Sequence, residues 1–378
     1  MVRRMHMRTV SSYSCAASLV ALLAVLLVPQ PGWAQTTSGQ PQSSRWTFEV
    51  YGGGAAPTIS TSGSPLTTFP IGPSFTTDAG RPSRLQSSWY FGDGARMLND
   101  ALAEFARLNG TSFARVVSLD AALTANALSK SGGATFGARL GRSLSPKLGI
   151  EIGVERSKTP LAFTNAFTNA LEASSNSFQA AFQDLLNSAP ASGVDVTSTL
   201  DVSGVSGRET RVTGALRYTL VQNGKTTAYA TVGGGLAMAD GDGPEATLVG
   251  SYAFRYFGAF PIRERDRTFI RVDQPGKTAM AMVGGGITYD VTPRVGVRVD
   301  VRMSLSGNKA SLLVSGSPDI TEQTTAAVLS SATTPGLQFS SRAGTLSSLG
   351  GANSTLTTFV GSGRNRHVSF TIGLFRRF

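Results

Sequence analysis

The side chains able to do chemistry in this chain of 378 residues are few in kind. Cysteine occurs once, at Cys15, and histidine twice, at His6 and His367. Tetrahedral zinc sites are built from several Cys and His ligands, so no such site can be assembled, and beyond residue 15 there is neither thiol chemistry nor a disulfide. A Ser-His device would have to use His367, with Ser369 two residues on. The glycine runs 233–235 and 284–286 lie inside alternating segments with no helix following, which excludes phosphate-binding loops. What remains is a set of acids (Glu49, Glu151, Glu155 and Asp300) and arginines (Arg139, Arg217, Arg298 and Arg302). Their near balance of charge suits mutual ion pairing. No catalytic residue, cofactor or metal site is expected.

All eight of these groups fall on the polar side of segments that alternate apolar and polar residues with period two, the signature of a half-buried strand. Eight segments alternate in this way: 46–53, 135–144, 148–155, 211–220, 227–239, 278–291, 295–306 and 367–378. In 295–306 (VGVRVDVRMSLS), Val295, Val297, Val299, Val301, Met303 and Leu305 face one way, and Arg298, Asp300 and Arg302 the other. Each segment has about the ten residues that a tilted strand needs to cross a bilayer. Three short connections, Ser145-Pro146-Lys147, Val221-Gln222-Asn223-Gly224-Lys225 with its Asn-Gly hairpin signal, and Thr292-Pro293-Arg294, alternate with long ones at about 57–134, 156–210, 240–277 and 307–366. That asymmetry predicts an all-β fold, a closed antiparallel transmembrane β-barrel with tight periplasmic turns and long, partly helical extracellular loops. A soluble sandwich or lipocalin-like barrel would also alternate. It would bury the apolar side and show water a fully polar one, whereas the polar sides here are small and rich in Gly.

Eight strands leave a lumen only just wide enough for side chains, so the inward acids and arginines are expected to interlock as a plug. A gated narrow ion path is the alternative. Segments 248–257 (LVGSYAFRYF) and 268–273 (TFIRVD) alternate too. They would form either a hairpin within the third outer loop or two further membrane strands, making ten. Pro261 and the charged run 263–267 favour eight. Within the loops, helical spacing predicts helices over 95–108, capped by Asp93 and ended at Gly110, and over 162–171 and 178–186. Stretches 57–88 and 315–365, rich in Ser, Thr and Gly, are expected to be mobile.

Residues 1–34 read as an export signal. Arg3, Arg4 and Arg8 precede an apolar run at 15–28, and a cleavage site follows Ala34; a retained anchor helix is the rival reading. Residues 35–45 would then be a periplasmic N-terminal segment and 46–378 the barrel. The formal charge is +11; three Arg and no acid lie in the leader, leaving +8 for the remainder. An exported basic protein meets anionic lipid headgroups, and no nucleic acid partner is expected.

Three stretches, 230–236 (ATVGGGL), 284–302 (GGGITYDVTPRVGVRVDVR) and 369–378 (SFTIGLFRRF), resemble the OmpA-like outer-membrane β-barrel superfamily, often described as the porin family. The resemblance covers the strands, about a third of the chain. It implies an outer-membrane location, lipid and lipopolysaccharide as surroundings, and periplasmic chaperones and the barrel assembly machinery as partners in biogenesis. It also implies an assembly signal at Thr371, Gly373 and Phe378, and a monomer. The peptidoglycan-binding domain of some relatives is not seen after the last strand. A second resemblance covers three residues only: His367-Val368-Ser369 is similar to the H-x-S element of outer-membrane lipid A deacylases. The alternation puts both side chains on the lumen side, away from acyl chains.

Overall fold

The structure is a computed structural model. It describes residues 46–60, 74–76, 82–84, 88–120, 122–124, 127–204, 207–241, 243–273, 276–322 and 354–378. The expected leader, the segment 35–45 and much of the stretches 57–88 and 315–365 lie outside the described residues. In chain order the strands are β1 (Trp46–Ser60), β2 (Ser74–Thr76), β3 (Pro82–Arg84), β4 (Leu128–Lys130), β5 (Gly133–Ser143), β6 (Leu148–Lys158), β7 (Leu161–Phe163), β8 (Ala191–Ser203), β9 (Arg208–Asn223), β10 (Thr226–Asp240), β11 (Glu245–Tyr256), β12 (Phe260–Asp273), β13 (Lys277–Asp290), β14 (Val295–Glu322) and β15 (Ser354–Arg377). The helices are α1 (Gly92–Asn109) and α2 (Asn165–Ser188).

Eight strands close a ring in the order β1-β5-β6-β9-β10-β13-β14-β15, each antiparallel to its neighbours, and β15 returns to β1. They are the eight alternating segments of the sequence. The connections at 144–147, 224–225 and 291–294 are short and lie at the end of the ring where Trp46 and Phe378 exchange backbone hydrogen bonds of 3.3 and 3.1 Å. Alternation then sorts the side chains. Val50, Phe136, Ile152, Leu216, Val232, Val283, Val301 and Phe370, one from each strand, are exposed on the outside. Most of their inward neighbours are buried, and several of them are charged. A soluble sandwich, which would have covered the apolar rows, is thereby ruled out. Among the described residues no helix is long and apolar enough to cross a membrane.

The ten-strand alternative is also overturned. Strand β14 is 28 residues long. Its first part, to Ser306, pairs with β13, and its later part, from Ser311, pairs with β12. β12 pairs with β11 and β11 with β8, so 248–257 and 268–273 belong to an extension of the same sheet that lies outside the ring. β15 accompanies β14 through both parts, with a register shift between Lys309 and Ser311. Such a bulge bends the strand locally, and this one falls where wall gives way to outer sheet. The loop boundaries move accordingly: 307–366 is largely strand at both ends, and β1 runs on to Ser60.

This outer sheet has what the barrel lacks, an apolar core. Leu248, Ile262, Ile270, Val272, Leu312 and Val314 from its inner face pack with Trp89, Phe91, Leu98 and Leu102, and with Phe167, Leu171, Phe178, Phe182 and Leu185 of α2. Phe182 is the hub of the aromatic contacts: Trp89 meets it edge-on at 5.7 Å between ring centroids, Phe178 lies tilted against it at 4.6 Å and Tyr252 stacks on it at 4.6 Å. The two helices expected at 162–171 and 178–186 are one. No Gly or Pro interrupts the stretch between them, and the stripe of Phe167, Leu171, Phe178, Phe182 and Leu185 continues through it. Leu161–Phe163 is instead strand β7, paired with β4, and Thr164 caps the helix by accepting from the Phe167 N–H at 3.2 Å. In α1, Gly110 ends the helix in the left-handed conformation, as expected, but Asp93 lies inside it. Asp120, distant in sequence, accepts from the Gly92 N–H at 2.7 Å and satisfies the exposed helix start.

Within this core β12 buries two acids, Glu264 and Asp266, on one face. Asp266 accepts from the Trp89 N–H at 2.6 Å and the Ser88 hydroxyl at 2.9 Å; Glu264 accepts from the Tyr252 hydroxyl. Burial nevertheless dominates and pushes the Asp266 carboxyl up to about 7. Between about pH 4 and 7 the unfolded chain has lost this proton while the folded cap keeps it, so stability falls as pH rises through that window and levels off above it. The expected loss is a few kcal/mol at most, since each tenfold difference in proton affinity between the folded and unfolded states is worth about 1.4 kcal/mol. Denaturant titrations read by Trp89 fluorescence in a background with Trp33→Phe and Trp46→Phe should show the fall, and Asp266→Asn should flatten it. An unchanged slope in that variant would contradict the assignment.

Candidate functional site

The interior of the ring concentrates the charges singled out by sequence. Glu49 and Arg139 face each other across β1 and β5; Arg298, Asp300 and Arg302 succeed one another along β14. Arg298 sits at the centre. Its guanidinium grips Glu151 at 2.7 and 3.1 Å in the two-pronged geometry that suits arginine to carboxylates, and also reaches Glu49 at 3.1 Å. Arg302 donates to Asp300 at 2.8 Å and to Glu151 at 3.0 Å. Arg139 pairs with Asp300, with Glu49 at 3.4 Å. All six groups are at most 5% exposed. Arg217, 3.5 Å from Glu151, is partly exposed.

Two tyrosines complete this knot. Arg139 lies 3.8 Å above the Tyr51 ring and Arg298 4.4 Å above that of Tyr229, both within cation–π range. The Tyr229 hydroxyl accepts from Arg298 and donates to Asp300 at 3.0 Å. Each ring lies across a glycine on the facing strand, Tyr51 over Gly137 and Tyr229 over Gly286; a Cβ at either position would run into the tyrosine.

A second group lies toward the long-loop end. Arg211 donates to Glu209 at 2.6 and 2.8 Å and to Glu155 at 3.3 Å, and Glu209 also takes Lys130 of β4. The predicted residue Glu155 therefore belongs here and not to the Arg298 knot. Lys130 and Glu209 are both 5% exposed by side chain, so a loop strand is fastened to the barrel wall by a buried ion pair. Sequence reasoning left out Glu209, Arg211, Tyr51, Tyr229 and Lys130 from the network. The first four share the inward parity of their strands and could have been found by it. Lys130 lies in no alternating segment and gives no such sign.

His367 and Ser369 face inward on β15 and are buried. Neither ring nitrogen of His367 has a hydrogen-bond partner, so Ser369 is not bonded to it as an activated nucleophile would be. Among the described residues no group of three or more His, Cys, Asp or Glu side chains is arranged to hold a metal. Of the expected assembly-signal residues, Thr371 lies 3.5 Å from Arg139, Gly373 leaves room for the Glu49 side chain, and Phe378 bonds through its backbone to Trp46.

Removing one partner of a buried pair strands the others. Arg298→Met, which keeps the length and removes the charge, should cost about 3–5 kcal/mol, read as a lower urea midpoint for unfolding of the barrel in detergent. Adding Glu151→Gln should recover part of the loss. A midpoint unchanged by Arg298→Met would show that the knot does not hold the barrel.

No protein-family model matches the chain, and no curated protein matches it. Solved structures that resemble it are outer-membrane barrels of several kinds. One is the outer membrane protein OprG from Pseudomonas aeruginosa, with 9% identity and a TM-score of 0.32 over 89% of this chain and 98% of that one. Another is the outer membrane protease OmpT from Escherichia coli, with 8% identity and a TM-score of 0.30 over 90% and 99%. A third is the COG4313 outer membrane channel from Pseudomonas putida F1, with 10% identity and a TM-score of 0.21 over 90% and 100%. None singles out the OmpA-like superfamily, and at these scores none carries an activity over to this chain.

Proposed function

We propose that this chain is an integral outer-membrane barrel without enzymatic activity, whose lumen is plugged by ion pairs and whose outer cap serves structural or surface-interaction duty. One observation carries the reading: every strand of the ring exposes apolar residues outward, while the inside is lined by buried, mutually paired charges. Water would be a poor solvent for that outer belt and lipid a good one. Strands also satisfy their backbone within a closed ring, as a bilayer demands. Export by a cleaved leader, insertion through the assembly machinery using Thr371, Gly373 and Phe378, and contact with lipopolysaccharide belong to the same reading.

A narrow path for ions or small solutes is the second reading. It is favoured by a small cavity above the knot, lined by Tyr51, Thr213 and Ser369 among others, and by the partial exposure of Arg217 below it. Conduction would require the bonds of Arg298 to part. The protein should fractionate with outer membranes and migrate differently on gels before and after boiling. In planar bilayers it should show little or no conductance, and Arg298→Ala with Glu151→Ala should raise it. Steady open-channel currents from the unaltered protein would favour the path over the plug, and a soluble, unshifted protein would end both readings.

A further inference from the structure

The cavity above the knot has a chemistry of its own. Met282 on β13, Ser304 on β14 and His367 on β15 are register partners in a single inward row, and Met280 is the next inward residue on β13. All four line the cavity. Met280, Met282 and His367 are 7%, 5% and 2% exposed. Adjacent strands lie about 4.8 Å apart, so the small Ser304 leaves a gap that a thioether on one side and an imidazole on the other can reach across.

His367 is the anomaly that gives this gap meaning. It is buried, Nδ1 has no hydrogen-bond partner, and Nε2 has only the Glu155 carboxylate, just beyond hydrogen-bond length. Buried polar groups are almost always satisfied, and an exception calls for a cause. The Glu155 carboxylate stands 3.6 Å from its Nε2. A carboxylate beside one nitrogen of a histidine is the usual support for an imidazole whose other nitrogen holds a metal. Two thioethers and an imidazole are soft donors, a set that selects Cu(I) over hard divalent ions. Arg302 and Arg211 also line the cavity. Carboxylates neutralise both, Arg302 by Asp300 and Glu151 and Arg211 by Glu209 and Glu155, but Arg302 also donates one N–H to the Met282 sulfur at 3.8 Å, a weak contact that a bound ion has to displace. A single added positive charge is tolerated there more easily than two.

We propose that Met280, Met282 and His367 form a binding site for a monovalent soft metal ion, Cu(I), with Glu155 orienting the imidazole. The site does not depend on whether the lumen conducts.

The test uses the folded barrel without the leader, residues 35–378, so that Cys15 and the Met5-His6-Met7 run are removed, in detergent with its fold checked by gel mobility. Ag(I) serves as the oxidation-proof probe, and Cu(I) is measured against a chromogenic chelator. One ion per barrel should survive desalting. Met280→Leu, Met282→Leu and His367→Phe should each weaken binding by about tenfold or more (about 1.4 kcal/mol). Met303→Leu, on the outward face of β14, should leave it unchanged. X-ray absorption of the unaltered protein loaded with Cu(I) should show sulfur and nitrogen neighbours together, a readout that survives if a variant fails to fold. No retained ion, retention unaffected by the three substitutions, or a copper shell without sulfur would each overturn the proposal.

Discussion

The constraint on which this structure rests is that a strand must have a partner on both edges. In hydrocarbon an unpaired N–H or C=O costs several kcal/mol, with no water to relieve it. The ring meets that demand through the ladder between β1 and β15, fourteen residue pairs from Thr47 with Arg377 to Ser60 with Arg364. Once the ring is closed, the rest follows in order. The period of two sends every second side chain inward. An eight-stranded interior is too narrow for bulk solvent, so its charges must find one another. The pairing around Arg298 is the solution, and the tyrosines laid across Gly137 and Gly286 fill the space left over.

The chain thus solves the burial problem twice, in opposite senses. In the barrel the apolar residues lie outside and the ionised ones inside. In the cap Phe178, Phe182 and Ile270 lie inside, and the arginines of β12, such as Arg265 and Arg267, lie outside. One strand, β14, takes part in both. Val301 and Met303 are turned outward in its first part, whereas Leu312 and Val314 are buried in its later part. The register shift between Lys309 and Ser311 lies between the two regimes. The buried acids of β12 are the exception within the cap, and through Asp266 the cap's stability responds to pH.

How much of this was legible in the sequence depends on the range of the forces involved. The eight wall strands could be read directly, because alternation is local and unbroken; residues 295–306 leave no other assignment open. The inward parity of Glu49, Arg139 and Asp300 followed from the same rule. The partners did not, since register across the ring decides that Glu155 meets Arg211 and His367 and not Arg298. Lys130 could not be found, because a three-residue strand has no period to recognise. The sequence pattern divides the helix at 165–188 because its centre, around Ser174 and Ser175, is polar in sequence yet buried in the fold. Local spacing points to Asp93 as the cap of α1 and cannot reveal an aspartate that arrives from residue 120.

Because β14 and β15 run without a break from wall to cap, the cap is joined to the barrel by rigid ladder and not by a tether. A pull on the cap along those strands would load many backbone hydrogen bonds together in shear, instead of opening them one after another. A displacement of the outer part is therefore felt by the wall at once, whereas a slack linker would first have to be drawn taut.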